Sequence, residues 1–175
     1  MVEIIFLMFQ LNHWLVMIKV VDNFFTEEIR EEIFELMVRP KWSLTGGNQF
    51  NSFWHMEELE SEDYFSSFLF KKIHEKIGFD CRVGWIYANG QTSCQGGNLH
   101  KDGNDVTFLY YPNPQWNIDW RGELIFVDEN KSPYKIVEYK PNRAVWFTGD
   151  ILHYVSAPDR FFNGLRVSLA YKLWT

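Results

Sequence analysis

The sequence predicts a mainly β protein, an eight-stranded double-sheet jelly roll whose helices are confined to its N-terminal part. Three observations carry this. Beyond residue 79 the apolar residues come in short runs of strand length, broken at Pro112, Gly122, Pro133, Pro141, Gly149, Pro158 and Gly164. Such punctuation favours antiparallel strands over βαβ units. Before residue 79, two stretches repeat their apolar residues at helical spacing. The chain also carries 8 Trp, 8 Tyr and 16 Phe, rings that suit sheet faces and apolar pockets.

Taken in order, residues 1–16 are rich in apolar side chains, but Glu3 stands where a targeting segment would carry positive charge. Gln10, Asn12 and His13 interrupt the run well short of a membrane span. This stretch is expected to be either a dispensable extension or an extra strand. A helix follows from Thr26: Thr26 at the N-cap, Glu27 and Glu28 in the first turn, and Ile29, Ile33, Leu36 and Met37 along one face, until Arg39-Pro40 stops it. A loop is expected at Gly46-Gly47 and a strand over residues 50–54. A second helix begins near Ser61, with Phe65, Phe68, Leu69, Ile73 and Ile77 as its apolar face and Gly78 at its C-cap. His74, among Lys71, Lys72, Glu75 and Lys76, reads as a solvated-face residue. Strands are then expected over residues 81–88, 99–102, 106–111, 123–127, 135–139, 144–147, 151–155 and 165–174. At 175 residues the chain is expected to form a single domain, residues 1–79 supporting a core of residues 80–174.

The net charge of −6, with no basic run, argues against a nucleic-acid partner. Two cysteines, Cys81 and Cys94, make no disulfide framework, so a reducing, cytoplasmic and soluble setting is expected.

The chemistry is expected to begin at Asn98-Leu99-His100-Lys101-Asp102-Gly103. In an extended strand His100 and Asp102 point the same way, bringing an imidazole and a carboxylate to one spot. These are two of the three groups of a facial two-His-one-carboxylate metal site, and His153 is the candidate for the third. Taken alone, the triplet also fits a surface strand end and His153 a core histidine. Further on, alternation places Arg166, Ser168 and Ala170 on one strand face, turning a guanidinium inward. A buried cation needs a carboxylate, supplied either by a ligand or by the protein, with Asp150 or Glu123 as the internal candidates. Residues 91–98, beside Gly90, read as either a substrate-covering lid or a plain surface loop.

The pattern His100-x-Asp102, His153, Arg166-x-Ser168 resembles the signature of iron(II)- and 2-oxoglutarate-dependent oxygenases. Three segments resemble their prolyl-hydroxylase branch: Thr107-Phe108-Leu109-Tyr110-Tyr111-Pro112-Asn113 with Trp116, Trp120-Arg121-Gly122-Glu123-Leu124-Ile125-Phe126, and Pro141-Asn142-Arg143-Ala144-Val145-Trp146-Phe147. The likeness covers roughly residues 80–174. It departs from the branch at Pro112, at Arg121, and in a longer spacing from His153 to Arg166. The resemblance implies a double-stranded β-helix in which His100, Asp102 and His153 bind Fe(II). It further implies that 2-oxoglutarate chelates the metal and sets its distal carboxylate on Arg166, assisted by Ser168 and Tyr87. O2 would be consumed and succinate and CO2 released, with ascorbate as an accessory reductant. The implied substrate is a prolyl residue of a peptide or protein. The alternatives are a free amino acid, sugar or other small metabolite, or a non-catalytic metal-binding jelly-roll module.

Overall fold

The computed structural model describes residues 17–48 and 51–175, with side chains described for all of these but 45–48 and 51. The expectation for residues 1–16 lies outside the described residues, as does Phe50. The elements are β1 (Ile18–Val21), α1 (Glu27–Met37), β2 (Ser43–Asn48), β3 (Asn51–Met56), α2 (Phe70–Ile77), β4 (Arg82–Gln91), β5 (Val106–Tyr111), β6 (Leu124–Val127), β7 (Pro133–Val137), β8 (Arg143–Thr148), β9 (His153–Val155) and β10 (Arg166–Trp174). Seven strands form one sheet in the order β1-β8-β5-β10-β4-β3-β2, and three form another in the order β7-β6-β9. Every strand pairing is antiparallel.

Strands β5 and β10 form the centre of the large sheet and are buried on both faces. One face meets the small sheet: Leu109, Tyr111, Val145, Phe147 and Ala170 cluster with Leu124, Phe126 and Val137. The opposite face carries Phe108, Tyr110, Leu169 and Tyr171, clustered with Ile33 and Met37 of α1 and Ile73 and Ile77 of α2. Tyr171 also donates its hydroxyl to the Phe65 carbonyl at 3.0 Å. Because side chains alternate along β10, Arg166, Ser168 and Lys172 share the inter-sheet side with Ala170. The polar residues of this strand therefore lie where an enclosed site can form.

The structure differs from the sequence expectations at several points. Thr26 occupies the N-cap of α1 but makes no capping hydrogen bond through its side chain. The second helix begins as a single 3₁₀ turn (Leu59–Ser61), passes through a π-helical turn (Tyr64–Leu69) and only then becomes α2. The wider π turn rotates Phe68 off the apolar face. It is 44% exposed, with the Lys72 ammonium 4.9 Å above its ring. Gly46 and Gly47 fall inside β2, where the pairing with β3 shifts register between Thr45 and Asn48. Strand β4 runs on to Gln91, and the expected strand at 99–102 is reduced to one bridge between His100 and His153. The segment that follows Gln91 is fastened on both sides. The Cys94 and Gly97 N–H groups donate to the Pro158 and Val155 carbonyls, at 2.9 and 2.8 Å, and the Gln95 amide donates to the Ser52 carbonyl at 3.1 Å. No helix among the described residues is long and apolar enough to cross a membrane.

Candidate metal centre and its carboxylate pocket

Two backbone hydrogen bonds, each 3.0 Å long, join His100 and His153 across the bridge between their chain segments. Each imidazole then turns its Nδ1 to a carbonyl two residues earlier, at 2.8 Å: His100 to Asn98 and His153 to Ile151. A carbonyl only accepts, so both Nδ1 atoms carry the proton and both Nε2 atoms keep a free lone pair. Those lone pairs converge on Asp102, with Nε2 of His100 3.2 Å from Oδ1 and Nε2 of His153 3.6 Å from Oδ2. All three ligand atoms lie within 4.8 Å of one another. Two neutral imidazoles and a carboxylate on one point form a donor set suited to a divalent transition metal, and the backbone carbonyls supply the outer contacts that fix each ring.

Asp102 is held from its other side. Its N–H donates to the Gly149 carbonyl at 2.8 Å, Thr107 donates its hydroxyl to Oδ2 at 2.6 Å, and the Lys172 ammonium lies 2.6 Å from Oδ1. Burial opposes ionisation of this carboxyl. The Lys172 ammonium, and the hydrogen bond that His100 gives when protonated, outweigh it, holding the group well below the usual carboxylate range. Burial lowers His153 to about 4 against the pull of Asp102. The hydrogen bond that Nε2 can give to Asp102 once it is protonated raises half-exposed His100.

For a metal held by His100, Asp102 and His153, these opposed directions set the expected pH dependence of binding. His153 is neutral throughout the neutral range. His100 takes up a proton first as pH falls, on the nitrogen a metal would need. Metal affinity is therefore expected to drop about tenfold per pH unit below the raised value of His100, with one proton released per ion bound. Titration with Mn(II) between pH 5 and 8, with proton release followed by calorimetry in two buffers, checks this; pH-independent affinity would contradict it.

On the same inter-sheet side, Arg166 is fully buried. Its Nε donates to the Gly122 carbonyl and its Nη1 to the Gln91 side-chain oxygen, each at 2.9 Å, while the Tyr139 and Tyr111 ring centres lie 4.6 and 5.3 Å from the guanidinium. Gly122 is required here: its φ is +81°, and a Cβ would come within 2.9 Å of Arg166. Two buried polar atoms here, Nη2 of Arg166 and the Tyr111 hydroxyl, have no partner at full hydrogen-bond geometry, although the two side chains lie close enough to interact with each other. Neither Asp150 nor Glu123 pairs with the guanidinium; Glu123 instead accepts from Ser156. An unpaired guanidinium nitrogen beside an unpaired hydroxyl fits an incoming carboxylate.

The structure thus gathers His100, Asp102 and His153 at one place and buries Arg166 and Ser168 on the same sheet face. Tyr87 is placed differently from the expectation that it shares a carboxylate with Arg166. It faces Ala170 in the β4–β10 register, whereas Gln91 faces Arg166. Four strand positions amount to about 13 Å, which puts Tyr87 towards Asp102 instead. The tyrosine beside Arg166 is Tyr111. Sequence reasoning also passed over Lys172 and Gln91. Lys172 continues the Arg166, Ser168, Ala170 alternation, so its signal was present. Gln91 had no local signal, because its partner comes from strand register.

Two cavities adjoin at Tyr87 and His55. One of about 340 Å³ runs past His100, Asn89, Gln91 and Ser168. The other, of about 510 Å³, is lined by Asp102, Lys172, Trp85, Glu57, Glu58 and Glu60.

No protein-family model and no curated protein sequence matches the chain. Solved structures do match in three dimensions. An oxidoreductase of the 2OG-Fe(II) oxygenase family from Burkholderia pseudomallei aligns over 90% of this chain and 84% of its own, with a TM-score of 0.71 and 11% identity. A Trichoplax adhaerens prolyl hydroxylase, solved with a hypoxia-inducible-factor peptide fragment, aligns over 90% and 83%, with a TM-score of 0.65 and 19% identity. SnoN, a non-heme α-ketoglutarate-dependent epimerase of nogalamycin biosynthesis, aligns over 89% and 76%, with a TM-score of 0.67 and 8% identity. A further SnoN structure holds Fe3+ and α-ketoglutarate. The chain accordingly has the mainly β, antiparallel jelly-roll fold of these 2-oxoglutarate–Fe(II) oxygenases.

Proposed function

We propose that this chain is an Fe(II)- and 2-oxoglutarate-dependent oxygenase, with residues 1–175 acting as one domain. The observation that supports it best is the pairing of two features on one side of the large sheet: a convergent His100–Asp102–His153 donor set and a buried guanidinium with an unpaired nitrogen. A metal jelly roll without a carboxylate ligand has no use for the second. In this reading His100, Asp102 and His153 hold the metal. Arg166, with the Tyr111 hydroxyl and Ser168, receives the distal carboxylate of 2-oxoglutarate. Tyr87 stands at the metal end, between the two cavities.

When bound, ferrous iron, 2-oxoglutarate and O2 supply the oxidising power that oxygenates a substrate C–H bond with release of succinate and CO2. The chain's own residues orient and exclude. The Nδ1–carbonyl bonds keep both imidazoles facing the metal position, Lys172 and Thr107 hold the carboxylate, and the stacked rings of Tyr111 and Tyr139, with Trp116 tilted against Tyr139, keep water from the guanidinium.

A prolyl residue of a peptide is the substrate that the sequence resemblance suggests, and the similar Trichoplax enzyme, solved with a peptide fragment, supports that reading. A second reading has an observation in its favour. The larger cavity is lined by Glu57, Glu58, Glu60 and Lys172, which suits a polar small metabolite better than a pyrrolidine ring. The first experiment is succinate formation from 2-oxoglutarate with ferrous iron, in the intact protein and in His153→Ala. Iron-dependent turnover that the substitution abolishes supports the oxygenase. Absence of both turnover and 2-oxoglutarate binding in the intact protein would return the chain to the class of non-catalytic modules. Once turnover is seen, a screen of prolyl peptides and polar metabolites for a mass gain of one oxygen separates the two substrate readings.

A further inference from the structure

Among the described residues, no carboxylate forms an ion pair with Arg166. The residue that stands where a counter-ion would is Gln91. It lies directly across from Arg166 in the β4–β10 register, is 3% exposed, and accepts Nη1 at 2.9 Å through its amide oxygen. The other groups in contact with the guanidinium are uncharged, the Gly122 carbonyl and the faces of Tyr139 and Tyr111, and the nearest acidic influence is the more distant Glu123, which makes no ion pair with it. A glutamate would have the same length at this strand position and would normally be the better partner, since a buried cation is stabilised by charge and by the bidentate fit of a carboxylate to the guanidinium. The chain instead carries an amide that holds Nη1 in place and leaves the guanidinium without a carboxylate in direct contact.

Resting on the oxygenase reading, we infer that Gln91 is the specificity-determining and positioning residue of the Arg166 pocket. It fixes the guanidinium without neutralising it, so that the pocket accepts a carboxylate-terminated cosubstrate and nothing uncharged. With its oxygen committed to Nη1, the Gln91 amide presents only N–H donors to its remaining surroundings. Because Gln91 also lines the cavity that reaches His100, those donors complement the same anion. A glutamate at this position closes the pocket from within: its carboxylate takes the guanidinium, and an incoming carboxylate meets a like charge.

The test compares wild type, Gln91→Glu and Gln91→Met for 2-oxoglutarate affinity by calorimetry, with Mn(II) in place of iron, and for the melting temperature of the ligand-free protein. Gln91→Glu is expected to lower affinity by roughly a hundredfold or more while raising the melting temperature, because a buried charge gains a carboxylate partner. Gln91→Met removes one hydrogen bond at nearly constant volume and adds no charge, so it is expected to cost only about tenfold in affinity. The inference is overturned if Gln91→Glu binds 2-oxoglutarate within about threefold of wild type, if its melting temperature falls, or if Gln91→Met is as damaging as Gln91→Glu. A merely structural glutamine would penalise both substitutions alike and stabilise neither. Wild type that fails to bind 2-oxoglutarate, beside a Gln91→Glu protein that melts higher, would remove the oxygenase reading and leave the unpaired-cation assignment standing.

Discussion

Asp102→Ala is expected to abolish metal binding and also to destabilise the ligand-free protein by about 3 to 5 kcal/mol, the range for breaking a buried pair from one side. The second effect comes from Lys172. Its side chain is 9% exposed, its ammonium lies 2.6 Å from Oδ1 of Asp102, and it also donates to the Thr107 hydroxyl at 3.2 Å. Burial pulls the ammonium down, and Asp102 is what opposes that pull. Removing the carboxylate leaves a largely buried cation whose remaining direct partner is the Thr107 hydroxyl. Asp102→Ala combined with Lys172→Met is therefore expected to recover most of the stability and none of the metal affinity. Urea midpoints and Mn(II) titration of both variants separate the two effects; a double variant no more stable than the single one would refute the buried-pair account. The pH sense follows from the depressed carboxyl of Asp102. Its stabilising contribution is fully present above the ordinary aspartate value of about 4 and is lost as acid titrates through the lower folded value.

Arg166→Ala carries the second large effect, and it falls on the cosubstrate rather than the metal. The substitution removes the guanidinium, leaves the Gly122 carbonyl and the Gln91 oxygen without their donor, and opens space beneath Tyr139. Loss of a buried charged contact of this kind costs about 2 to 5 kcal/mol, so 2-oxoglutarate affinity is expected to fall by roughly 30- to 4,000-fold. Mn(II) affinity should stay within a few-fold of wild type, since the residues proposed to hold the metal are His100, Asp102 and His153. Arg166→Lys should rescue little, because a point charge cannot hold Gly122, Gln91 and an incoming carboxylate at once. Unaltered 2-oxoglutarate binding in Arg166→Ala would show that the carboxylate goes elsewhere.

The regions where sequence and structure part share one physical feature. Periodicity placed β5, β8 and β10 within a residue or two of where they lie, because burial on a sheet writes a local pattern. It misplaced Phe68, because a π turn changes the period that the face was read with. It overextended the strand around His100, where the chain makes a single bridge and then leaves to carry Asp102 towards Thr107 and Lys172. The convergence of His100, Asp102 and His153 was legible because their spacing and chemistry are legible. The neighbours that tune them were not. Lys172, Tyr111 and Gln91 are ordinary strand residues until strand pairing shows what each faces.

By itself the sequence determined the class of the fold, the polar face of β10 and the kinds of side chain available for chemistry, since these follow from alternation and from residue type. Only the tertiary structure decided that Tyr111, not Tyr87, stands beside Arg166, that Lys172 shares Asp102 with two imidazoles, and that the partner of the buried guanidinium is an amide 75 residues away in the chain. Those pairings depend on the register between strands distant in sequence. Shifting a strand by one residue would turn every side chain to the other face, so register is set by the whole inter-sheet core and not by any stretch within it.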